Sequence, residues 1–226
     1  MQTGDFVLVD FIGKIKENNQ IFDLTREDVA KSSGIFRPDF RYGPIPVIVD
    51  AGLILKGIDS ALKEMNVGDK KTIEISPEDG FGLRKDELVK LVPPSVFREN
   101  DVEPRPGNVV RLNNLSGKIL SNDGGRIKVD FNHPLAGKKL EYEVEVKNQL
   151  SIPQEKIKAI VSYFTSLQFE LIDAEVKEKE VDIILKKRGD VPVSTKEAIS
   201  NTIIKWVSPI EKVRFVEIFG DKNIYL

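Results

Sequence analysis

The sequence predicts an α+β protein with more than one hydrophobic core. Three observations lead there. Strand-forming runs dominate residues 6–75, one helical stripe interrupts them between Leu53 and Met65, and after Leu150 the pattern turns to alternating helix and strand. The 226 residues also exceed the roughly 100–150 of a common single domain.

Phe6–Ile15 carries β-formers on both faces and runs into the polar turn Glu17-Asn18-Asn19, so a doubly buried strand and a hairpin are expected, with Gln20–Asp23 returning. Residues 25–44 mix charges with Gly34, Pro38, Gly43 and Pro44 and read as a long excursion with a helical turn near Glu27–Lys31; Pro46–Val49 resumes extended structure. Ile54, Ile58, Ala61, Leu62 and Met65 fall on one face of a helix predicted over Leu53–Met65. Gly57 inside it costs roughly 1 kcal/mol against Ala, which suggests close packing or a binding surface. A turn at Gly68-Asp69 leads to a strand over Lys70–Ile75, then a loop that opens at Pro77 and ends on Phe81-Gly82.

From Arg84 the chain is punctuated by Val92-Pro93-Pro94, Glu103–Gly107 and Asn122-Asp123-Gly124-Gly125, with short alternating runs at Val109–Leu112 and Ile127–Phe131. A small β module is expected. Leu140, Tyr142, Val144 and Val146 alternate with Glu141, Glu143, Glu145 and Lys147, the period-two signature of a half-exposed strand. Ser151 as N-cap and Pro153 open a helix through Ile157, Ile160, Val161 and Phe164. A strand over Val176–Leu185, a turn at Gly189-Asp190, a helix from Ser194 to Trp206 and a strand over Val213–Phe219 complete a C-terminal α+β domain over 151–226. The apolar strands Val181–Leu185 and Val213–Phe219 suit either a homodimer interface or an ordinary small core.

Composition excludes several chemistries. Lys and Arg number 34 against 36 Asp and Glu, so no global field draws in nucleic acid. With no cysteine, disulfides, thiol catalysis and Cys-ligated metals are out, in keeping with a cytoplasmic location. Met1–Asp5 lacks the charged and apolar regions of a signal peptide, and no apolar run is long enough for a bilayer. His133 is the single histidine. A structural zinc site needs several N or S ligands, so neither metal nor cofactor is expected, and a structural role for His133 in its Asn-His-Pro hinge is favoured. The Lys186-Lys187-Arg188 run reads as a solvated turn.

Two landmarks resemble one family. Asn66–Gly82 resembles the second half of an FKBP-type peptidyl-prolyl isomerase core, and Phe131–Lys138 resembles the point where SlyD-like members return from a domain inserted in the flap. As a whole the chain looks most like the long archaeal FKBP-type isomerases. The resemblance implies a half-wrapped antiparallel sheet with one helix over 1–84 plus 132–150, and a flap insert over 85–131. It leaves 151–226 unexplained.

The resemblance also implies a proline pocket. Phe22, Asp23, Phe81 and Tyr142 match the positions of its catalytic wall, and Phe11, Val47, Ile54, Leu55 and Ile58 those that bind the peptide. Taken singly, each Phe or Ile fits a core residue better than a pocket residue, and Asp23 a turn or cap residue; only their joint occurrence, in order, points to a pocket. Three departures stand out. Phe11 and Phe81 occupy positions where many members carry tyrosine, and Ile58 replaces the tryptophan floor of macrolide-binding members, so weaker macrolide binding is expected. The implied function is prolyl isomerisation, with unfolded or proline-containing polypeptides as partners and a chaperone role for the insert. The alternative is a holdase that has lost catalysis.

Overall fold

A computed structural model of the chain describes residues 1–123, 125–186 and 190–218. It is α+β, built on antiparallel sheets, and divides into two compact units: residues 1–14, 19–74 and 141–226 in one, 15–18 and 75–140 in the other.

The first unit carries a five-stranded sheet. Strands β1 (Phe6–Ile15), β2 (Ile21–Leu24), β3 (Ile45–Ile48), β4 (Lys70–Ile75) and β9 (Leu140–Leu150) form it in the order β2-β1-β9-β4, with β3 also paired to β1. Central β1 buries residues on both faces, among them Phe6, Val7, Val9 and Ile12, and β9 buries Leu140, Tyr142, Val144 and Val146 while the intervening glutamates reach water. Helix α1 (Glu27–Ser32) starts the excursion. Arg41, further along it, donates to the Ser162 hydroxyl and the Leu167 carbonyl, both at 2.8 Å.

The predicted helix over Leu53–Met65 is shorter, α2 (Lys56–Leu62). Its apolar stripe is real, with Ile58, Ala61, Leu62 and Met65 buried. However, Glu64 and Met65 bond back only three residues, to Ala61 and Leu62, tightening the last turn out of α geometry. At the other end the buried Asp59 carboxylate accepts the Asp50 N–H (2.6 Å) and the Gly52 N–H (3.3 Å). These bonds hold residues 50–52 in a bend that a continued helix would abolish.

Residues 151–226 add a three-stranded sheet, β10 (Ile172–Lys177), β11 (Glu180–Leu185) and β12 (Lys212–Val216), with helices α4 (Pro153–Thr165) and α5 (Val193–Trp206). The single strand expected over Val176–Leu185 is the second half of a hairpin. The chain turns at Glu178, whose φ of 50° lies in the left-handed region. Its charged run Lys177–Glu180 mimics strand alternation. Ile152, not Ser151, is the N-cap of α4. Strand β12 pairs with β11 in parallel. One core joins Ile157, Ile160, Ile183, Ile199 and Ile203 to Phe6 and Ile48 of the five-stranded sheet.

The second unit holds β5 (Val89–Val92), α3 (Pro94–Glu99), β6 (Val109–Leu112), β7 (Leu115–Asp123) and β8 (Arg126–Asp130), in sheet order β5-β8-β7-β6. Helix α3 replaces the expected Pro-Pro loop. Pro94 is its first residue, where the missing N–H costs nothing, and it buries Phe97. Strand β7 carries no clear strand pattern in the sequence, because Ser116, Lys118, Ser121 and Asn122 dilute its apolar content; its register slips between Ile119 and Ser121. A side chain at Gly117 would strike Val129 at 2.6 Å. Arg84 bonds Asp130 at 2.8 Å, and Asn132 exchanges hydrogen bonds with Lys85, so segments 84–85 and 130–132 are clasped side by side. The turns placed at Gly124 and Gly189, the run at Lys187-Arg188 and the end of the last strand at Phe219 lie outside the described residues.

Replacing Asp59 with Ala removes the acceptor of two backbone donors, and charged hydrogen bonds of this kind are worth about 2 kcal/mol. We expect a stability loss of about that size or more in urea titration, with unchanged m-value.

Candidate functional site

The site grows from an irregularity in the β1–β2 hairpin. Gly13 faces Asp23, yet Lys14 faces Ile21, so Phe22 is the extra residue of a bulge. A bulge bends its strand and re-aims the extra side chain. The Phe22 ring meets Tyr142 of β9 edge-on, centroids 5.7 Å apart at 84°. Phe11 approaches the same tyrosine at 5.7 Å and 58°. Tilted and edge-on geometries of this kind are the favoured aromatic arrangements.

Two of these rings, Tyr142 and Phe22, close over Gly13. A Cβ there would lie 2.8 Å from the Tyr142 ring and 3.1 Å from Phe22. Glycine inside a strand pattern marks such a close approach, and that signal in the sequence could have singled out Gly13. Thr25 is a second residue that motif reasoning missed. Buried, it accepts the Phe11 N–H through its hydroxyl at 2.9 Å while donating to Asp10 at 2.6 Å. It thereby pins the backbone that carries Phe11.

Asp23 reaches solvent, but the protein packed around its carboxyl pushes its pKa above the ordinary carboxylate value, partly offset by the Leu24 backbone. Burial, reinforced by the charge of Asp23, raises the Tyr142 phenol far above its usual range. Tyr142 therefore stays a neutral hydroxyl within the field of Asp23. Phe11 brings no hydroxyl, so here it is the last strand of the sheet that brings one near the carboxylate.

The remaining residues fall in three places. Val47 is buried in β3 opposite Val7. Half-buried Ile54 and Leu55 lead into α2, and Ile58 is buried in its first turn. Leu55 is the N-cap residue, its carbonyl accepting from Ile58 and Asp59, both at 3.0 Å. Among the described residues its N–H has no hydrogen-bond acceptor. Phe81 belongs to the second unit, where it stacks face to face on His133, centroids 4.4 Å apart and planes within 3°. His133 accepts the Leu135 N–H through Nδ1 at 3.2 Å, which fixes the imidazole. Among the described residues no three His, Asp or Glu side chains gather as a metal site.

Comparison with known proteins adds the following. The family model described as FKBP26, IF domain, matches residues 90–135. The chain is 35% identical over 148 residues to the short-type peptidyl-prolyl cis-trans isomerase of Methanocaldococcus jannaschii, covering 66% of this chain and 93% of that protein. It is 30% identical over 152 residues to the FKBP-type 16 kDa peptidyl-prolyl cis-trans isomerase of Escherichia coli, covering 65% and 91%. The match to the SlyD isomerase of Haemophilus influenzae is 32% identical over 106 residues, covering 46% of this chain and 56% of that one.

Two outcomes follow. Gly13→Ala forces Tyr142 or Phe22 aside, an overpacking strain that costs about 1–3 kcal/mol and shifts the ring proton resonances of both in NMR spectra. Asp23→Asn raises the melting temperature at neutral pH. The raised pKa means that the folded state binds the proton more tightly, so this group's favourable contribution is full in acid and lost as pH rises through the folded value. The advantage of the Asn variant should therefore shrink as the pH of the melt is lowered.

Proposed function

Since the chain belongs to the FKBP-type peptidyl-prolyl cis-trans isomerases, and so is an isomerase, we propose that it turns X–Pro bonds by shape and polarity alone, with no covalent step. Amide resonance sets a barrier of about 18–20 kcal/mol, and rotation unaided takes tens to hundreds of seconds, slow enough to limit folding. At the twisted transition state the amide has lost resonance and charge separation. An apolar wall then favours it over the planar ground state, which is differential binding of the transition state.

The observation that carries this reading is the wall of Phe11, Phe22 and Tyr142, two of whose rings close over Gly13. Ile54 and Ile58 are proposed to extend it, and Val47, being buried, to support it from beneath. Asp23 acts as an oriented dipole beside the substrate carbonyl. The Leu55 N–H anchors a neighbouring substrate carbonyl, as helix-start donors readily do. For Phe81, stacked on His133, a part in peptide binding is proposed on the family resemblance alone.

We further propose that residues 85–131 bind unfolded or proline-containing chains. Leu91, Val109 and Leu115 are exposed at 61%, 70% and 58%, and β6 is the edge strand of its sheet among the described residues, which suits strand addition by an extended peptide. Residues 1–84 plus 132–150 would then supply catalysis, and the insert would supply clients.

The test is isomerisation of a short X–Pro peptide followed by protease-free NMR exchange. Asp23→Ala should lower kcat/KM about tenfold, equal to about 1.4 kcal/mol of transition-state stabilisation. Unchanged activity removes Asp23 from the mechanism. Changing Leu91, Val109 and Leu115 together to Ser should leave the short-peptide rate intact while weakening suppression of aggregation of an unfolded client; equal suppression by both proteins would sink the chaperone proposal.

A further inference from the structure

Residues 50–55 carry the backbone that leads to the Leu55 N–H, yet residues 51–54 belong to neither helix nor strand. Such a segment has no ladder to hold it and depends on individual bonds. Asp59 supplies two at its start, to the Asp50 and Gly52 N–H groups. Its far end is held from residues 151–226. The hydroxyl of Tyr163, on α4, donates to the Leu53 carbonyl at 2.7 Å.

The surroundings of that bond are built to last. Tyr163 meets Phe164 edge-on at 5.2 Å, and Leu53 packs onto the core that α4 shares with Phe6 and Ile48. The small slot between them is lined by Pro46, Leu53, Ile160, Tyr163 and Phe164 and is almost wholly apolar. The bond itself lies at the exposed mouth of that slot, with the rings packed behind it. Burial raises the Tyr163 phenol above its usual pKa, so the donor is retained through neutral pH.

We propose that Tyr163 is a positioning residue for peptide binding: bonded to the Leu53 carbonyl, its hydroxyl fixes the segment that presents the Leu55 N–H to a substrate carbonyl. Residues 151–226 thereby take part in substrate binding through α4. The inference rests on the anchoring role proposed above for the Leu55 N–H.

The test compares the full-length wild type, Tyr163→Phe and Thr165→Ala on one X–Pro peptide. Tyr163→Phe keeps the ring and removes only the donor. Thr165→Ala removes a hydroxyl at the end of the same helix, which donates to the Val161 carbonyl at 2.7 Å and accepts the Leu167 N–H at 3.3 Å, without touching Leu53. Loss of ground-state and transition-state binding alike raises KM and spares kcat, so Tyr163→Phe should raise KM about fivefold with kcat nearly constant. The Leu55 amide cross-peak should shift in that variant, and Thr165→Ala should leave KM alone. An unchanged KM in Tyr163→Phe, or the same change in both variants, overturns the proposal, because a merely structural contact behaves that way. If the Leu55 cross-peak of the wild type stays still on saturation with peptide, the anchoring role itself fails and takes this inference with it. If that peak moves but KM ignores the Tyr163 hydroxyl, only the inference fails.

Discussion

The packing of Tyr142 against Phe22 depends on one missing atom, the Cβ of Gly13. Tyr142 and Phe22, from the two strands that flank β1, can meet there only because the strand beneath them is bare at that point, and Phe11 packs against Tyr142 at 5.7 Å. The bulge at Phe22 is the second half of the same device, since it turns that ring out of the regular alternation of β2. Thr25 completes it by holding the Phe11 backbone. The aromatic wall is therefore a consequence of local strand irregularities, set on the buried faces of β1 and β9.

The wall is also where the molecule gives up stability. Asp23 sits where the protein resists its charge, and burial, reinforced by that charge, keeps the Tyr142 phenol neutral. A carboxylate held in an unfavourable place is characteristic of a site kept for function. Around it the fold compensates with buried carboxylate bonds such as those of Asp59, and with a core that runs from Phe6 and Ile48 into α4 and α5.

Much of the architecture was legible because it obeys simple periodicities. Strand β1, with both faces apolar, and β9, with strict alternation, fall where the pattern puts them, and β4 does so at both ends. The departures have physical causes that residue patterns do not carry. Helix α2 is cut short by a carboxylate four residues inside it that binds the preceding backbone. The β10–β11 hairpin turns on charged residues that continue the alternation of a strand. Helix α3 begins at a proline that looks like a loop. In the site, the three aromatics stood out by order along the chain, whereas Gly13 and Thr25 did not. Their contribution is to leave space and to pin backbone, and neither shows in a motif. The Tyr163 bond to Leu53 is hidden for the same reason, since it joins residues far apart in sequence.

The account rests on catalysis by an apolar, shaped surface in which no proton moves at the transition state. The most direct test is the solvent isotope effect on kcat/KM for a short X–Pro peptide, measured by NMR exchange in light and heavy water. The account predicts a ratio near unity. A rate cut by half or more in heavy water would mean that a proton is in flight, as in general acid–base catalysis, and would contradict it.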